Sequence, residues 1–140
     1  MSFEAQVRDM LLADAAVAAR VGTRIFPHPA PQNVASPFLT YQVVGADQVG
    51  SSYTARALHD VSTLQIDCWH EQIDRVSDGV SDFYGSVVDL SREVRTALDR
   101  KGDPLGEDAI DGIQFTNWHD LSDDRHARRV TMFDIYVKDP

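Results

Sequence analysis

The 140-residue chain carries 13 Lys+Arg against 22 Asp+Glu, a net charge of −9, with 43% hydrophobic and 25% charged residues. That composition suits one folded domain spanning residues 1–140 and excludes a disordered or low-complexity chain. It also argues against nucleic-acid binding by a basic face and against attraction to an anionic membrane, both of which need clustered Lys and Arg.

Ser2 can cap a first helix whose apolar residues Phe3, Val7, Met10 and Leu11 share a face. Asp14 can cap a second over residues 15–19, so two helical pieces with a kink near Ala13 and Asp14 are expected, stopped at Gly22. Residues 24–26 read as a short strand halted at Pro27, and Pro27, Pro29, Pro31 and Pro37 make residues 27–37 extended loop. Residues 38–44 form a strand with Leu39, Tyr41 and Val43 on one face, and residues 45–60 a long polar connection. In the next strand, residues 61–69, Leu64, Ile66 and Cys68 face one way and Thr63, Gln65 and Asp67 the other. That is one dry and one wet side. Residues 71–80 are weakly helical. From Ser81 an apolar stripe of Phe83, Val87, Leu90, Val94 and Leu98 predicts a long helix, with Arg95, Arg100 and Lys101 toward its end and Gly102 and Pro104 as stops. Residues 113–118 and 128–137 are the last two strands. The order predicts an α+β fold, an antiparallel β-sheet with helices packed on one face.

Reaction chemistry finds little support. Cys68, the single cysteine, excludes an internal disulfide framework and agrees with a reducing compartment. Cys68 and His70 share a strand face, but none of His28, His59, His119 or His126 completes a recognised metal-ligand spacing. No Gly-x-Ser-x-Gly elbow or phosphate-cradling loop occurs, and the small-residue run Gly50-Ser51-Ser52 lacks a lysine. Cys68 therefore reads as a small core residue rather than a nucleophile awaiting a histidine base. The acid pairs Glu107-Asp108 and Asp123-Asp124 lack an apolar setting, and Asp67 and Asp134 lie on polar strand faces where solvation or a cross-strand arginine is the usual fate. No catalytic residue, metal or cofactor is expected, and the chain does not read as an enzyme. No leader peptide is expected from residues 1–7, and no apolar run reaches the roughly 18 residues of a membrane-crossing helix.

Two Trp-His pairs, Trp69-His70 and Trp118-His119, recur at strand ends; they read as rim packing or as interface anchors. With the Pro-rich segment, the long polar connection and available sheet edges, they point to an interaction or assembly protein.

Several short stretches, in order, carry a resemblance. They are Ala13-Asp14-Ala15, then Val21-Gly22, then Arg24-Ile25-Phe26-Pro27 and Pro37-Phe38-Leu39-Thr40-Tyr41. Gln65-Ile66-Asp67-Cys68-Trp69, Val94-Arg95-Thr96-Ala97-Leu98 and the alternating strand from Arg129 to Tyr136 follow. Along nearly its whole length the chain resembles the tail-completion family of long-tailed bacteriophages, the tail-terminator or tail-to-head joining proteins. Residues 71–81 and the acidic residues 102–111 depart from the family pattern. The resemblance implies a structural virion protein in the tail-neck region, assembled in the host cytoplasm. Its copies would form a homo-oligomer, a hexameric ring, that caps the tail tube, stops polymerisation and meets the head–tail connector or stopper protein. DNA would pass the lumen without specific binding, and the acidic balance agrees with that. A head-closure or minor tail protein of similar fold is the alternative. A closing ring needs heterologous contacts. The edge strands and residues 45–60, with Gln48, Val49, Tyr53 and Arg56, are the expected contact region, and Trp69 and Trp118 the expected anchors.

Overall fold

Asp14 splits the N-terminal helical run in two. In the computed structural model, which describes residues 3–49, 59–71, 82–101, 110–121 and 126–138, α1 (Phe3–Ala13) ends just before it and α2 (Ala15–Val21) starts just after. Asp14 Oδ1 accepts hydrogen bonds from the Ala16 and Val17 N–H groups, both at 3.1 Å, satisfying two donors the first turn of α2 would otherwise leave open. Gly22, at φ 59°, ends α2 in a left-handed conformation that a β-carbon would strain. The expected kink and stop are both present.

Five strands follow: β1 (Ile25–Pro27), β2 (Phe38–Val49), β3 (His59–Glu71), β4 (Ile110–Asp120) and β5 (His126–Lys138), with α3 (Asp82–Leu98) between β3 and β4. They form one sheet in the order β1-β2-β3-β5-β4. The sheet is mixed rather than antiparallel throughout, because β1 lies parallel to β2. A parallel neighbour requires the chain to cross back to the starting end of the sheet, and the extended Pro-rich residues 28–37 make that return.

The predicted polar connection of residues 45–60 is shorter than its composition suggested. Gly45 to Val49 belong to β2 and pair with Thr63 to His59 of β3, after a bulge between Val43 and Gly45. Antiparallel ladders are built from backbone groups, so polar side chains do not stop them. Residues 50–58 of that connection, and residues 72–81 of the weakly helical stretch, lie outside the described residues, as do Gly102 and Pro104. The long helix ends at Leu98, ahead of those expected stops. Arg100, at φ 62°, turns the chain, and the Arg100 N–H and Lys101 C=O then pair with the Ile113 backbone at 2.8 Å each.

The α+β expectation of helices on one face holds. Leu64, Ile66 and Cys68 of β3, with Phe133 and Ile135 of β5, point to one side and are buried against Val7 and Leu11 of α1, Val17 and Val21 of α2, and Val87, Leu90, Val94 and Leu98 of α3. Burying each such side chain contributes about 1.5–3 kcal/mol. The opposite face is less simply wet than expected, since Asp67 and Val130 on it are each only 1% exposed.

Candidate assembly interface

Arg128 and Arg129 are adjacent on β5, so the pleat sends their side chains to opposite faces of the sheet. Each finds a tryptophan and an aspartate two residues apart on a neighbouring strand. The two resulting clusters sit at the same end of the sheet.

On the face away from the helices, Phe38, Trp69 and Arg128 are successive cross-strand partners. Phe38 and Trp69 stack with centroids 5.9 Å apart, and the Arg128 guanidinium lies 4.5 Å from the Trp69 ring centre. Arg128 Nε donates to Asp67 Oδ2 at 3.1 Å, with a second, shorter bond from Nη2, while Gln65 Nε2 donates to Asp67 Oδ1 at 2.9 Å. The buried carboxylate thus has hydrogen bonds on both oxygens and a cross-strand arginine, the second of the two fates expected for it. Trp69 Nε1 donates to the buried Thr40 hydroxyl at 3.0 Å, and His126 meets the Trp69 ring edge-on at 5.6 Å. The Pro-rich residues 28–36 wall a groove of ≈ 780 Å³ over Phe38, Thr40, Trp69 and His126. Among the described residues no Lys, Arg, Asp or Glu lines it.

On the helix-covered face, Arg129 is 8% exposed and Asp120 holds it by two bonds, from Nε at 2.9 Å and from Nη2 at 3.3 Å. Its guanidinium lies 3.8 Å from the Trp118 ring centre. Trp118 itself is 50% exposed, as is Leu121 beyond it. Cys68 is the cross-strand partner of Arg129 and is fully buried, and burial pushes its thiol up, with nearby Asp67 adding to the rise and Arg129 opposing it. It stays a protonated thiol near neutral pH, as a core residue should. Among the described residues no three His, Cys, Asp or Glu side chains converge as a metal site would require.

The two sheet edges differ. β1 has three residues and ends in Pro27, so it offers little to a pairing strand. The first half of β4 is covered: Arg100 and Lys101 take up the Ile113 backbone, and the Phe115 N–H donates to Asp99 Oδ1 at 3.0 Å. Arg95 lies 4.0 Å over the Phe115 ring. Trp118 lies on β4 beyond this cover.

Of the expected contact residues, Trp69 is half-buried inside the first cluster and Trp118 stands exposed at the edge of the second. Gln48 and Val49 lie at the end of β2, paired with Asp60 and His59, but their side chains, like Tyr53 and Arg56 altogether, fall outside the described residues. Along β2 the Gln48 and Val49 backbone lies at the end opposite Phe38, the residue that pairs with Trp69. Sequence reasoning missed Phe38, His126, Arg128 and Arg129. The signal was present: two adjacent arginines on one strand must serve opposite faces, and Asp67-x-Trp69 and Trp118-x-Asp120 offer each a partner.

The chain matches the family described as tail completion protein gp17 over residues 5–138. No curated protein sequence matches it. Among solved structures it is similar to a chain of the virion of a native gene transfer agent (GTA) particle, with a TM-score of 0.70 at 19% identity, covering 95% of this chain and 92% of that one. That likeness shows a shared fold. The family match spans both tryptophan clusters, the helices and all five strands, and the chain belongs to the tail completion protein gp17 family, structural proteins of the virion tail.

Proposed function

We propose that this protein is a tail terminator: copies of it close into a ring on the head-proximal end of the tail tube, stop tube growth and present a surface to the head connector. The observation that carries the reading is the match to the tail completion protein family over residues 5–138. The similar chain, which belongs to the virion of a native gene transfer agent particle, supports a role inside a virion. The two unlike edges of the sheet support a ring in particular. A heterologous contact joins two different surfaces of the same subunit, and such contacts close into rings when the rotation allows. The net charge of −9 suits a passage that DNA must traverse without sticking.

The test is mass by light scattering, for the chain alone and mixed with the tail-tube protein, together with tube length by electron microscopy. A ring, alone or on the tube, that ends tube growth at a defined length is expected. A monomer that leaves tube growth unchanged and binds the head-connector protein instead would replace this reading with a head-closure role.

A further inference from the structure

The chain exposes a projecting aromatic at one edge of its sheet and, toward the other, a groove with no Lys, Arg, Asp or Glu among its described lining residues. Trp118 projects from β4, its ring fixed against a guanidinium that Asp120 clamps, so little rotamer freedom remains to be lost when it is covered. Leu121 extends the apolar patch, and Asp120, the carboxylate between them, is turned to Arg129. The groove is walled by the segment that joins β1 to β2, with an aromatic floor of Phe38 and Trp69. Its ≈ 780 Å³ falls in the range that accepts a group larger than one side chain.

Charge selects the occupant. Each copy carries −9, so two copies repel wherever they meet through acidic surface. Among the described residues no Lys, Arg, Asp or Glu lines the groove, and the Asp120 carboxylate beside Trp118 is paired with Arg129, so a second copy can dock through these two surfaces without setting those acids against each other. Because knob and groove lie toward opposite edges of the sheet, docking one into the other leaves a free knob and a free groove at the ends of the pair. That is the head-to-tail geometry from which rings are built.

We propose that Trp118 of one copy enters the Pro-walled groove over Phe38 and Trp69 of the next, and that this joint links successive subunits. The proposal rests on the reading of the chain as a ring-forming protein and names the contact that reading requires.

The experiment uses two variants under whichever condition assembles the wild type, alone or with tube protein. Trp118→Ala removes the knob, and Ala35→Trp fills the groove from its exposed wall. Circular dichroism and thermal melting establish that both fold, and Trp118→Phe, which keeps an aromatic knob, should assemble better than Trp118→Ala. Each of the two disrupting variants should raise the concentration for half-assembly by about thirtyfold or more, as loss of a buried aromatic anchor does. Mixed in equal amounts, they should form a dimer and nothing larger, since one intact knob and one intact groove remain between them. Raising the salt concentration should strengthen wild-type assembly by screening the acidic surfaces. Wild-type-like assembly by Trp118→Ala, or a mixture of the variants that stays monomeric, overturns the joint while leaving the ring reading intact. A wild type that stays monomeric even with tube protein overturns the ring reading, and the joint with it.

Discussion

The two Trp-Arg-Asp clusters are built from the same three residue types at the same spacing, yet they differ in what surrounds them. Around Trp69, Phe38 stacks on the ring, His126 meets its edge, Thr40 accepts its N–H, and Asp67 is sealed to 1% exposure. Around Trp118, the arginine is buried but the indole is 50% exposed. A cation-π pair with a carboxylate clamp is thus a positioning device whose use is set by its neighbours. A central strand with partners on both sides makes it part of the fold. An edge strand whose cover among the described residues stops short of Trp118 leaves the indole facing outward.

Removing each arginine in turn should separate the two clusters most clearly. Arg128→Ala leaves the Asp67 carboxylate buried without its counter-charge and should cost about 3 kcal/mol or more, measured by chemical denaturation. Arg129→Ala exposes Asp120, whose side chain is already 27% accessible and can rehydrate, and should cost less, about 2 kcal/mol. Equal losses would mean the two clusters contribute alike to the fold.

Cys68 lies between Asp67 and Trp69 in sequence and opposite Arg129 across the strands, and its burial can be read through pH. Burial raises the thiol above its ordinary value of 9.0. Above that pH the unfolded chain releases the thiol proton while the native chain retains it, so the unfolded state binds fewer protons and stability falls. The slope is about 1.4 kcal/mol per pH unit, until the native thiol itself titrates. The stability lost between about pH 8 and about pH 10 should therefore be larger in the wild type than in Cys68→Ala. An identical loss in the two would show that the thiol is not sealed. The smallest expected effect is the loss of Trp118 from the folded monomer. Trp118→Ala should change stability by about 1 kcal/mol or less, the scale of a cation-π contact at an exposed site.

Much of the fold was legible because its signals are local. The Asp14 cap, Gly22, the Pro27 stop and the alternation Leu64, Ile66, Cys68 each follow from the chemistry of one or a few residues. The fate of Asp67 was legible only as a choice of two, solvation or a cross-strand arginine, and the structure takes the second. What was not legible depends on register. The ladder through Gly45 to Val49 is held by backbone groups that polar composition does not report. The parallel placement of β1 depends on how the Pro-rich residues cross the sheet. Trp69 and Trp118 read alike in sequence, each followed by histidine. Only pairing with β5, which places Trp69 in the middle of the sheet and Trp118 at its edge, separates an internal packing residue from an exposed one.

The chain has two tryptophans, which makes the comparison directly measurable. Fluorine NMR of the chain labelled with fluorotryptophan gives one resonance for each, assigned with Trp69→Phe and Trp118→Phe, and the solvent isotope shift of each reports its exposure. In the free protein the Trp118 resonance should show the larger isotope shift, and on assembly with tube protein that shift should collapse. A Trp118 resonance that keeps its full isotope shift in the assembled particle would contradict the account, because the exposed edge would then remain uncovered where another copy is expected to meet it.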